Sequence, residues 1–317
     1  MTDKLPPSVA IIVLNWNGWR DAVECLESLQ QLAYPSYQII LIDNGSTDDS
    51  ITKIKSWCRR DPANRKLVII EVGENKGFAG GNNVGITYAL KNGYKYIWLL
   101  SNDTVVDKNA LGEMIKVAQS DKSVGMVGSK FYDYARPDAV QWLGSNTIIL
   151  PRINRSGFSR EESIEFRWLC AVSLLVKREV IEQIGAFNEN YFYFCEDKDW
   201  CIRARKKGWK LYCALKSKVW HKHGASTGSK RIDKYWLGRK FTRICWEGFS
   251  MPAYYESRNT VYLIKRNYPL YLLPYLVYAL FNRIAKILLF DDHKIARISI
   301  ILRSMWDGLI GRMGKVI

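Results

Sequence analysis

The chain has 317 residues, of which 48% are hydrophobic and 25% charged, a globular composition that excludes a disordered protein. Its seven cysteines are scattered and form no Cys-x-x-Cys pair, which fits a reducing compartment better than a disulfide framework or a zinc site. The net charge of +16 is uneven: residues 200–250 carry +12 and residues 251–317 carry +6, which leaves −2 for residues 1–199. A one-sided basic region indicates a polyanionic partner, such as nucleic acid, anionic lipid or a phosphorylated substrate, unless it is only a solvated lysine-rich face.

The first residues do not follow the pattern of a secretory signal. Residues 1–8 contain two prolines and one lysine, without the charged region and the following apolar region of a signal peptide. We therefore expect a cytoplasmic protein.

Strand-like and helix-like segments alternate through the first hundred residues. Apolar runs predict strands at 9–14, 37–42, 67–72 and 96–100, and apolar residues at helical spacing predict helices at 21–32, 48–58 and 82–90. Strands and helices that alternate in this way form a mostly parallel sheet covered by helices. The sequence therefore predicts an α/β fold.

A polar cluster follows each predicted strand: NWNG from Asn15, DNGSTD from Asp43, NKGFAGGNN from Asn75, and the pair Asn102-Asp103. The carboxyl ends of parallel strands meet at one sheet edge, where open α/β sheets bind their ligands. Asp43 can accept hydrogen bonds from a base or ribose, whereas Ser46, Thr47 or Asp48 can cap the next helix, a role that we prefer for Ser46 and Thr47. The glycines permit tight turns, but there is no Gly-x-Gly-x-x-Gly or Walker lysine, which argues against an NAD enzyme or a P-loop NTPase.

Two later segments carry groups suited to transfer chemistry. Aromatic residues 192–194 precede the carboxylates Glu196 and Asp197 at a predicted helix start, where acids can also act as helix caps. The aromatic residues would exclude water from Asp197 and raise its pKa, which favours catalysis for that residue. Two of the three histidines in the chain, His221 and His223, lie together after a short strand, which favours a functional role.

These motifs, in this order and spacing, resemble those of the family 2 inverting glycosyltransferases, most closely the bacterial rhamnosyltransferase-like branch. The resemblance covers about residues 8–268. It implies the GT-A fold, a Rossmann-like, mostly parallel sheet flanked by helices. In that fold a nucleotide-diphospho-sugar binds across the strand ends, and a short acidic motif holds Mg²⁺ or Mn²⁺ against the diphosphate.

The resemblance also assigns roles to individual residues. Asn102-Asp103 takes the place of the family's Asp-x-Asp motif, so Asp103 is the expected metal ligand, and His221, or else His223, is the second. Asp197 matches the base that takes the proton of the acceptor hydroxyl, and Glu196 is expected to orient a substrate hydroxyl or the loop. Trp168 and Trp200 are candidate acceptor contacts, with core packing as the alternative for Trp168. The expected donor-binding residues are Asn15, Asn17, Asp43, Asn75, Gly77, Phe78, Asn82 and Asn102.

The last third of the chain is basic and contains one long apolar segment. The sequence predicts a mobile loop that closes on the diphosphate of the donor. Its polar residues are Lys222, Ser226, Thr227, Lys230 and Arg231. Residues 254–259 resemble a Tyr-Tyr-x-x-Arg-Asn element of the same branch, to which the sequence assigns no role. Residues 269–290 are almost wholly apolar but are interrupted by Pro274, Asn282, Arg283 and Lys286. A transmembrane helix needs ~20 uninterrupted apolar residues, so a helix that lies on an anionic membrane surface fits this segment better. The alternative is a helix buried in the protein.

The expected organisation is a GT-A catalytic domain at residues 1–228, with a donor half at about 8–104 and an acceptor half at about 105–228, followed by a basic helical region at 229–317. The expected reaction transfers a sugar, best L-rhamnose from dTDP-L-rhamnose, to a lipid-linked glycan of the cell surface at the inner face of the membrane. UDP-galactofuranose and UDP-hexoses are alternative donors. A nucleic-acid-binding protein and an inactive scaffold are alternatives of other classes, but both leave the strand-end motifs unexplained, so we expect no nucleic-acid partner.

Overall fold

The computed structural model describes residues 5–60, 67–147, 162–222, 229–236, 239–246, 251–290 and 293–316, with the backbone alone for 229–236, 239–246 and 290. The chain divides into two compact units. The first unit contains Met1–Asn188 and Asp197–Ser226, and the second contains Glu189–Glu196 and Thr227–Ile317. The short segment Glu189–Glu196, which we predicted within the catalytic domain, thus groups with the C-terminal unit.

The first unit begins with the predicted parallel sheet. Its first four strands are β1 (Val9–Asn15), β2 (Tyr37–Asp43), β3 (Leu67–Glu71) and β4 (Tyr96–Ser101). They lie side by side in the order β3-β2-β1-β4 and are parallel, which confirms the α/β prediction. The helices between them are α1 (Trp19–Gln30), α2 (Ser50–Arg60) and α3 (Gly77–Lys91).

The sheet continues with mixed strand directions. Its further strands are β5 (Thr104–Val106), β6 (Val124–Asp133), β7 (Arg136–Trp142), β8 (Ser163–Glu165), β9 (Ser173–Lys177) and β10 (Lys210–His221). From β4 the order is β9-β6-β10-β5, with β7 beside β6 and β8 beside β10. Of these pairs only β6 with β10 is parallel. The helices of this half are α4 (Ala110–Ser120), α5 (Arg178–Ile184) and α6 (Glu196–Lys206).

Helices cover both faces of β1. Val9, Ile11 and Val13 belong to a core that includes Leu26 and Leu29 of α1, and burial of each such side chain contributes about 1.5–3 kcal/mol. On the opposite face lies α3, whose glycines allow a close approach. A Cβ on Gly81 would lie 2.5 Å from Leu14 Cδ1, and one on Gly85 would lie 2.7 Å from Ile12 Cγ2. The glycine-rich segment therefore starts the helix and packs on the sheet, whereas we predicted turns before a helix at 82.

The second unit is a hairpin followed by helices. The hairpin pairs β11 (Ser229–Trp236) with β12 (Arg239–Trp246) in antiparallel fashion. The helices are α7 (Met251–Asn267), α8 (Leu272–Phe290) and α9 (Lys294–Ile310), with a 3₁₀ turn at Pro269–Tyr271. Among the described residues, one helical stretch, Pro269–Leu289, is long and apolar enough to cross a membrane by length and composition, with a mean hydropathy of 1.5 and 17% of it buried.

Candidate active site at the sheet edge

The end of β1 is joined to its neighbouring loops by a chain of buried hydrogen bonds. Asn102 Nδ2 donates to Asn15 Oδ1 at 3.1 Å, and Asn15 Nδ2 donates to Asp43 Oδ1, also at 3.1 Å. The hydroxyl of Ser46 donates to the same Asp43 oxygen at 2.6 Å. The structure thus brings together three predicted donor-binding residues and adds Ser46, which we had assigned to a helix cap. Buried groups bonded on several sides hold one geometry, as a binding site requires.

Gly18 leaves room for this network. A Cβ at this position would lie 2.8 Å from Asn102 Nδ2, closer than real Cβ atoms approach. The first polar cluster therefore carries glycine because the Asn102 side chain occupies the space that a larger residue would fill.

Asn17 joins the first loop to the second from an exposed position. Its backbone has a φ of 52°, a left-handed conformation that asparagine tolerates better than most residues. Its Oδ1 accepts the backbone N–H of Thr47 at 2.8 Å, and its own N–H donates to Ser46 Oγ at 2.9 Å. The predicted capping roles of Ser46 and Thr47 are wrong, because both bind the first loop and Asp48 accepts the N–H of Ser50, the first residue of α2.

Asn44 organises the third polar cluster, although the sequence did not single it out. Its Nδ2 donates to Asn75 Oδ1 at 3.2 Å and to the carbonyl of Gly77 at 3.1 Å. The Asn75 side chain also accepts the N–H of Gly77 at 2.8 Å. Asn82, by contrast, donates to the carbonyl of Phe78 at 2.9 Å within α3, so its side chain is engaged in its own helix. The sequence did offer one signal for Asn44, because this residue directly follows Asp43, the last residue of the buried strand β2.

Asp103 and His221 come together through strand pairing. Strand β5 follows Asp103 immediately and pairs with the end of β10, so that Thr104 lies opposite His221. The carboxylate of Asp103, only 3% exposed, has Oδ2 at 3.5 Å from His221 Nε2. Nδ1 of His221 lies 3.0 Å from Gln141 Oε1. The competing residue His223 lies outside the described residues.

This pair fits a divalent metal ion. A carboxylate oxygen and an imidazole nitrogen at this separation can bind one ion, and such a mixed set suits a transition ion such as Mn²⁺ better than Mg²⁺, which prefers oxygen. Within the described ranges no group of three or more His, Cys, Asp or Glu residues could hold a metal. Asp103 and His221 would therefore hold the ion together with ligands from substrate and water.

Lys222, which we predicted in a loop that closes on the diphosphate, is bound to α1. Its ammonium group forms ion pairs with both Asp21 and Glu24 on α1. Burial lowers the pKa of Lys222, but the hydrogen bonds and charges of these two carboxylates together raise it above its usual value. This arrangement anchors the end of β10 to α1. Of the other residues predicted in the loop, Ser226 and Thr227 lie outside the described residues, and the backbone of Lys230 and Arg231 belongs to β11.

Asp197 lies in the first turn of α6 with its carboxylate largely out of solvent, at 8% exposure. Oδ1 accepts the N–H of Lys198 at 2.7 Å and Oδ2 accepts the N–H of Ala171 at 3.3 Å. Burial raises the pKa of Asp197, and the charge of Lys198 and the two N–H donors act in the opposite direction. Glu196, beside it, is also buried.

Asp197 and Asp103 lie at the same edge of the sheet. Strand β9 is antiparallel to β4, with Ser173 opposite Leu100, so the start of β9 adjoins the end of β4. The N–H of Ser101 donates to the carbonyl of Val172 at 2.9 Å, one residue from the Ala171 that binds Asp197. A short path of chain and hydrogen bonds thus connects the two carboxylates.

The two tryptophans differ from the predicted acceptor contacts. Trp200 is completely buried, its indole N–H donates to the carbonyl of Gly185 at 2.8 Å, and its ring packs 4.4 Å from that of Phe187. Its prediction as an acceptor contact is therefore wrong, because it is a core residue. Trp168 is 9% exposed and lies against Trp142, with Lys198 Nζ 4.6 Å from its ring centre, so core packing describes it better.

This α/β sheet, with its polar strand ends and a buried Asp103 beside the partly buried His221, is that of a GT-A glycosyltransferase. Comparison with known families agrees. The chain matches the family described as "Glycosyl transferase family 2" over residues 8–185, which is more than half of its length. It therefore belongs to glycosyltransferase family 2, as the motifs indicated.

Named relatives are more distant. The chain is 23% identical over 207 residues to the low-salt glycan biosynthesis hexosyltransferase Agl10 of Haloferax volcanii, covering 63% of this chain and 62% of the relative. It is 24% identical over 216 residues to the dTDP-rhamnosyl transferase RfbF of Shigella flexneri, covering 64% of each. The matches thus span less than two thirds of these relatives' own length.

Solved structures share the fold at low identity. The mannosyltransferase PcManGT of Pyrobaculum calidifontis, solved with GDP-Man and Mn²⁺, has a TM-score of 0.58 at 13% identity, covering 98% of this chain and 76% of that one. S. aureus TarS 1-349, solved with UDP-GlcNAc, has a TM-score of 0.53 at 13% identity, covering 96% of this chain and 73% of that one. At this identity the likeness concerns the fold alone.

Proposed function

We propose that the protein is a metal-dependent, inverting hexosyltransferase that moves a sugar from a nucleotide-diphosphate donor to an acceptor hydroxyl. The observation that carries this proposal is the shared sheet edge of two separate functional groups, the Asp103–His221 pair and the buried carboxylate of Asp197. An inverting transfer needs both, because the leaving diphosphate must be stabilised while a base takes the proton of the attacking hydroxyl.

Asp197 is the proposed base. The N–H groups of Ala171 and Lys198 bind one carboxylate oxygen each and so fix its orientation. Burial raises its pKa, and a higher pKa makes the carboxylate a stronger proton acceptor for a hydroxyl. Glu196 would orient the acceptor hydroxyl or the preceding loop.

Asp103 and His221 are the proposed metal ligands. A bound Mg²⁺ or Mn²⁺ would neutralise the charge that develops on the diphosphate. The protein's own contribution is to hold a carboxylate and an imidazole side by side through the pairing of β5 with β10. PcManGT, which has the same fold, was solved with GDP-Man and Mn²⁺.

The donor nucleotide would bind over the hydrogen-bonded strand ends. The buried network around Asn15, Asp43 and Asn102 forms the base of this site. The loop at Asn75 and Gly77 forms one of its sides. Asn17 is exposed beside them and holds the second loop in place through its hydrogen bonds to Thr47. Phe78 and Asn82 would support the donor site indirectly, because the hydrogen bond between them lies within α3.

L-Rhamnose from dTDP-L-rhamnose is the proposed sugar, with UDP-galactofuranose or a UDP-hexose as alternative donors. Support comes from the resemblance of the motifs and from RfbF, a relative named as a dTDP-rhamnosyl transferase. The network itself does not select a nucleotide, because amide and carboxylate groups can bind either uracil or thymine.

The proposed acceptor is a lipid-linked glycan at an anionic membrane surface on the cytoplasmic side. Helix α8 supports this, because it buries Tyr275, Ala279 and Ile287 while large apolar side chains remain exposed. Its exposed residues include Leu273, Val277, Tyr278, Phe281, Leu288 and Leu289. An exposed apolar helix face in a region of net charge +6, as in residues 251–317, is typical of a membrane-surface contact.

A thermal-shift screen would test the class and the donor. The purified chain would be heated with dTDP-L-rhamnose, UDP-galactofuranose, UDP-glucose or GDP-mannose, each with and without Mn²⁺. Ligand binding to the folded state raises the melting temperature, so we expect stabilisation by one nucleotide sugar that depends on the metal. Stabilisation by single-stranded DNA or RNA without any metal requirement would contradict the proposal and favour a nucleic-acid-binding protein.

A further inference from the structure

The loop that precedes α6 has an unusual backbone. Phe192, Phe194 and Cys195 have φ angles of 48°, 69° and 70°. This left-handed region is rarely adopted by bulky residues, and three such residues within four positions require a specific set of contacts to hold them. Conformations of this kind concentrate at functional sites.

A single side chain of the same unit supplies many of these contacts. Asn259 Nδ2, on α7, lies 2.8 Å from each of the carbonyl oxygens of Tyr191, Tyr193 and Phe194. Asn259 has no exposed surface, so no water competes for these bonds. Since an amide has two N–H groups, it serves three acceptors only if the loop curls tightly around it.

Arg258 determines which way the Asn259 amide faces. Its Nε donates to Asn259 Oδ1 at 2.9 Å, which leaves Nδ2 directed at the loop. The guanidinium is itself fixed, because one of its nitrogens donates to the carbonyl of Gly314 at 2.9 Å. It also lies 5.6 Å and 4.9 Å from the ring centres of Tyr254 and Tyr255. The Tyr-Tyr-x-x-Arg-Asn element is therefore one buried assembly that orients the Asn259 amide.

The loop leads directly to the proposed base. Helix α6 begins at Glu196, one residue after Cys195, and Asp197 is its second residue. The contacts of the residues before a helix fix the angle at which the chain enters it, and so help to place its first turn. We propose that Asn259 is a positioning residue for Asp197, acting through the conformation of residues 191–195. This inference rests on the proposed function, and it gives Asn259 no contact with substrate.

Three variants and a control test this role. Asn259→Ala, Asp197→Asn and the double variant are compared with Val261→Ala, which removes packing from a fully buried position of the same helix. We expect Asn259→Ala to lower kcat by on the order of 10²-fold, the cost of a small misplacement of a reacting group, with the Kd for the nucleoside diphosphate and Mn²⁺ unchanged. Val261→Ala should reduce thermal stability and leave kcat unchanged at a temperature where it is folded.

The double variant separates positioning from general destabilisation. If Asn259 acts through Asp197, adding Asn259→Ala to Asp197→Asn causes no further loss of rate. Independent, additive losses in the double variant would overturn the inference, as would wild-type kcat in folded Asn259→Ala. Wild-type activity in Asp197→Asn would instead show that the proposed base is wrong, and the inference would fall with it.

Discussion

Gln141 Oε1 lies 3.0 Å from Nδ1 of His221, on the side of the imidazole ring away from the nitrogen that faces Asp103. When Nδ1 carries the proton and donates a hydrogen bond to Gln141 Oε1, Nε2 keeps a lone pair for a metal ion. Outer partners of this kind fix the tautomer and orientation of histidine ligands.

Replacement of Gln141 by leucine should therefore weaken metal binding. We expect Mn²⁺ affinity to fall by about 10- to 100-fold, the usual effect of losing an outer hydrogen bond to a metal ligand. Isothermal titration with Mn²⁺ in the presence of a nucleoside diphosphate would measure it. Gln183→Leu is the matched control, since the Gln183 amide bonds to Trp209 instead. Equal Mn²⁺ affinity in both variants would show that Gln141 does not support the metal site.

Replacement of Asp197 by asparagine should abolish proton acceptance. We expect kcat to fall by about 10²- to 10⁴-fold, while the Kd for the nucleotide sugar stays close to that of the wild type. In the wild type, burial raises the pKa of Asp197, so kcat should fall on the acid side at a higher pH than an exposed aspartate would give. A rate profile over pH and a donor titration would check both points. Loss of donor affinity in the variant would contradict the assignment.

The same substitution should stabilise the fold at neutral pH. Because the pKa of Asp197 is higher in the folded than in the unfolded state, its contribution to stability is greatest at low pH and is lost as the pH rises through the folded value. Asparagine carries no charge and avoids the cost of burying one. Melting curves should show Asp197→Asn above the wild type at pH 7, with a smaller difference at acid pH. A lower melting temperature at pH 7 would show that the hydrogen bonds outweigh the burial of charge.

Much of the first half of the fold could be predicted from the sequence. Strands β1 to β4 are short apolar runs, of which β1, β2 and β4 are mostly buried and β3 is partly buried, and alternation with helices fixes their parallel direction. The polar groups at their ends, including Asn15, Asp43 and Asp103, followed from the same pattern. The start of α3 could not be predicted, because Gly80 and Gly81 have low helix propensity. The sequence does not show that Gly81 packs against Leu14 of β1, where a larger residue would clash.

Long-range contacts explain the other differences. Trp200 follows a run of acids, and the sequence does not show that its face of α6 packs on Phe187. The antiparallel insertion of β9 between β4 and β6 joins residues far apart in the chain, which local patterns cannot reveal. Asn259 likewise acquires its role only when the fold brings α7 against residues 191–195.

Gly18 offers a test of the donor site that does not touch a catalytic group. In Gly18→Ala the new methyl group would displace Asn102, since its position lies 2.8 Å from Nδ2, and the bond to Asn15 would be lost. We expect at least a tenfold weaker Kd for the nucleoside diphosphate, the effect of losing about 1.4 kcal/mol. Gly112→Ala in α4 is the control, because a Cβ there meets nothing within 4 Å. That change should leave binding intact and stabilise the helix by up to about 1 kcal/mol. Unchanged affinity in Gly18→Ala would show that the network does not shape the donor site.

The exposed face of α8 can be tested by placing acids on it. Leu273 and Phe281 are 70% and 72% exposed, so aspartate at these positions should leave the fold intact. Burial of either side chain in a lipid interface is worth about 1.5–3 kcal/mol, so each substitution should weaken binding to anionic vesicles by roughly tenfold or more. Co-sedimentation with phosphatidylglycerol vesicles would measure this, and Leu5→Asp, an exposed apolar position of the first unit, is the matched control. If all three variants bind the vesicles equally well, membrane attachment depends on charge alone. In the unmodified chain, residues 251–317 carry a net charge of +6, which attracts anionic vesicles. High salt should weaken only this electrostatic contribution to vesicle binding, and the contribution of the apolar side chains should persist.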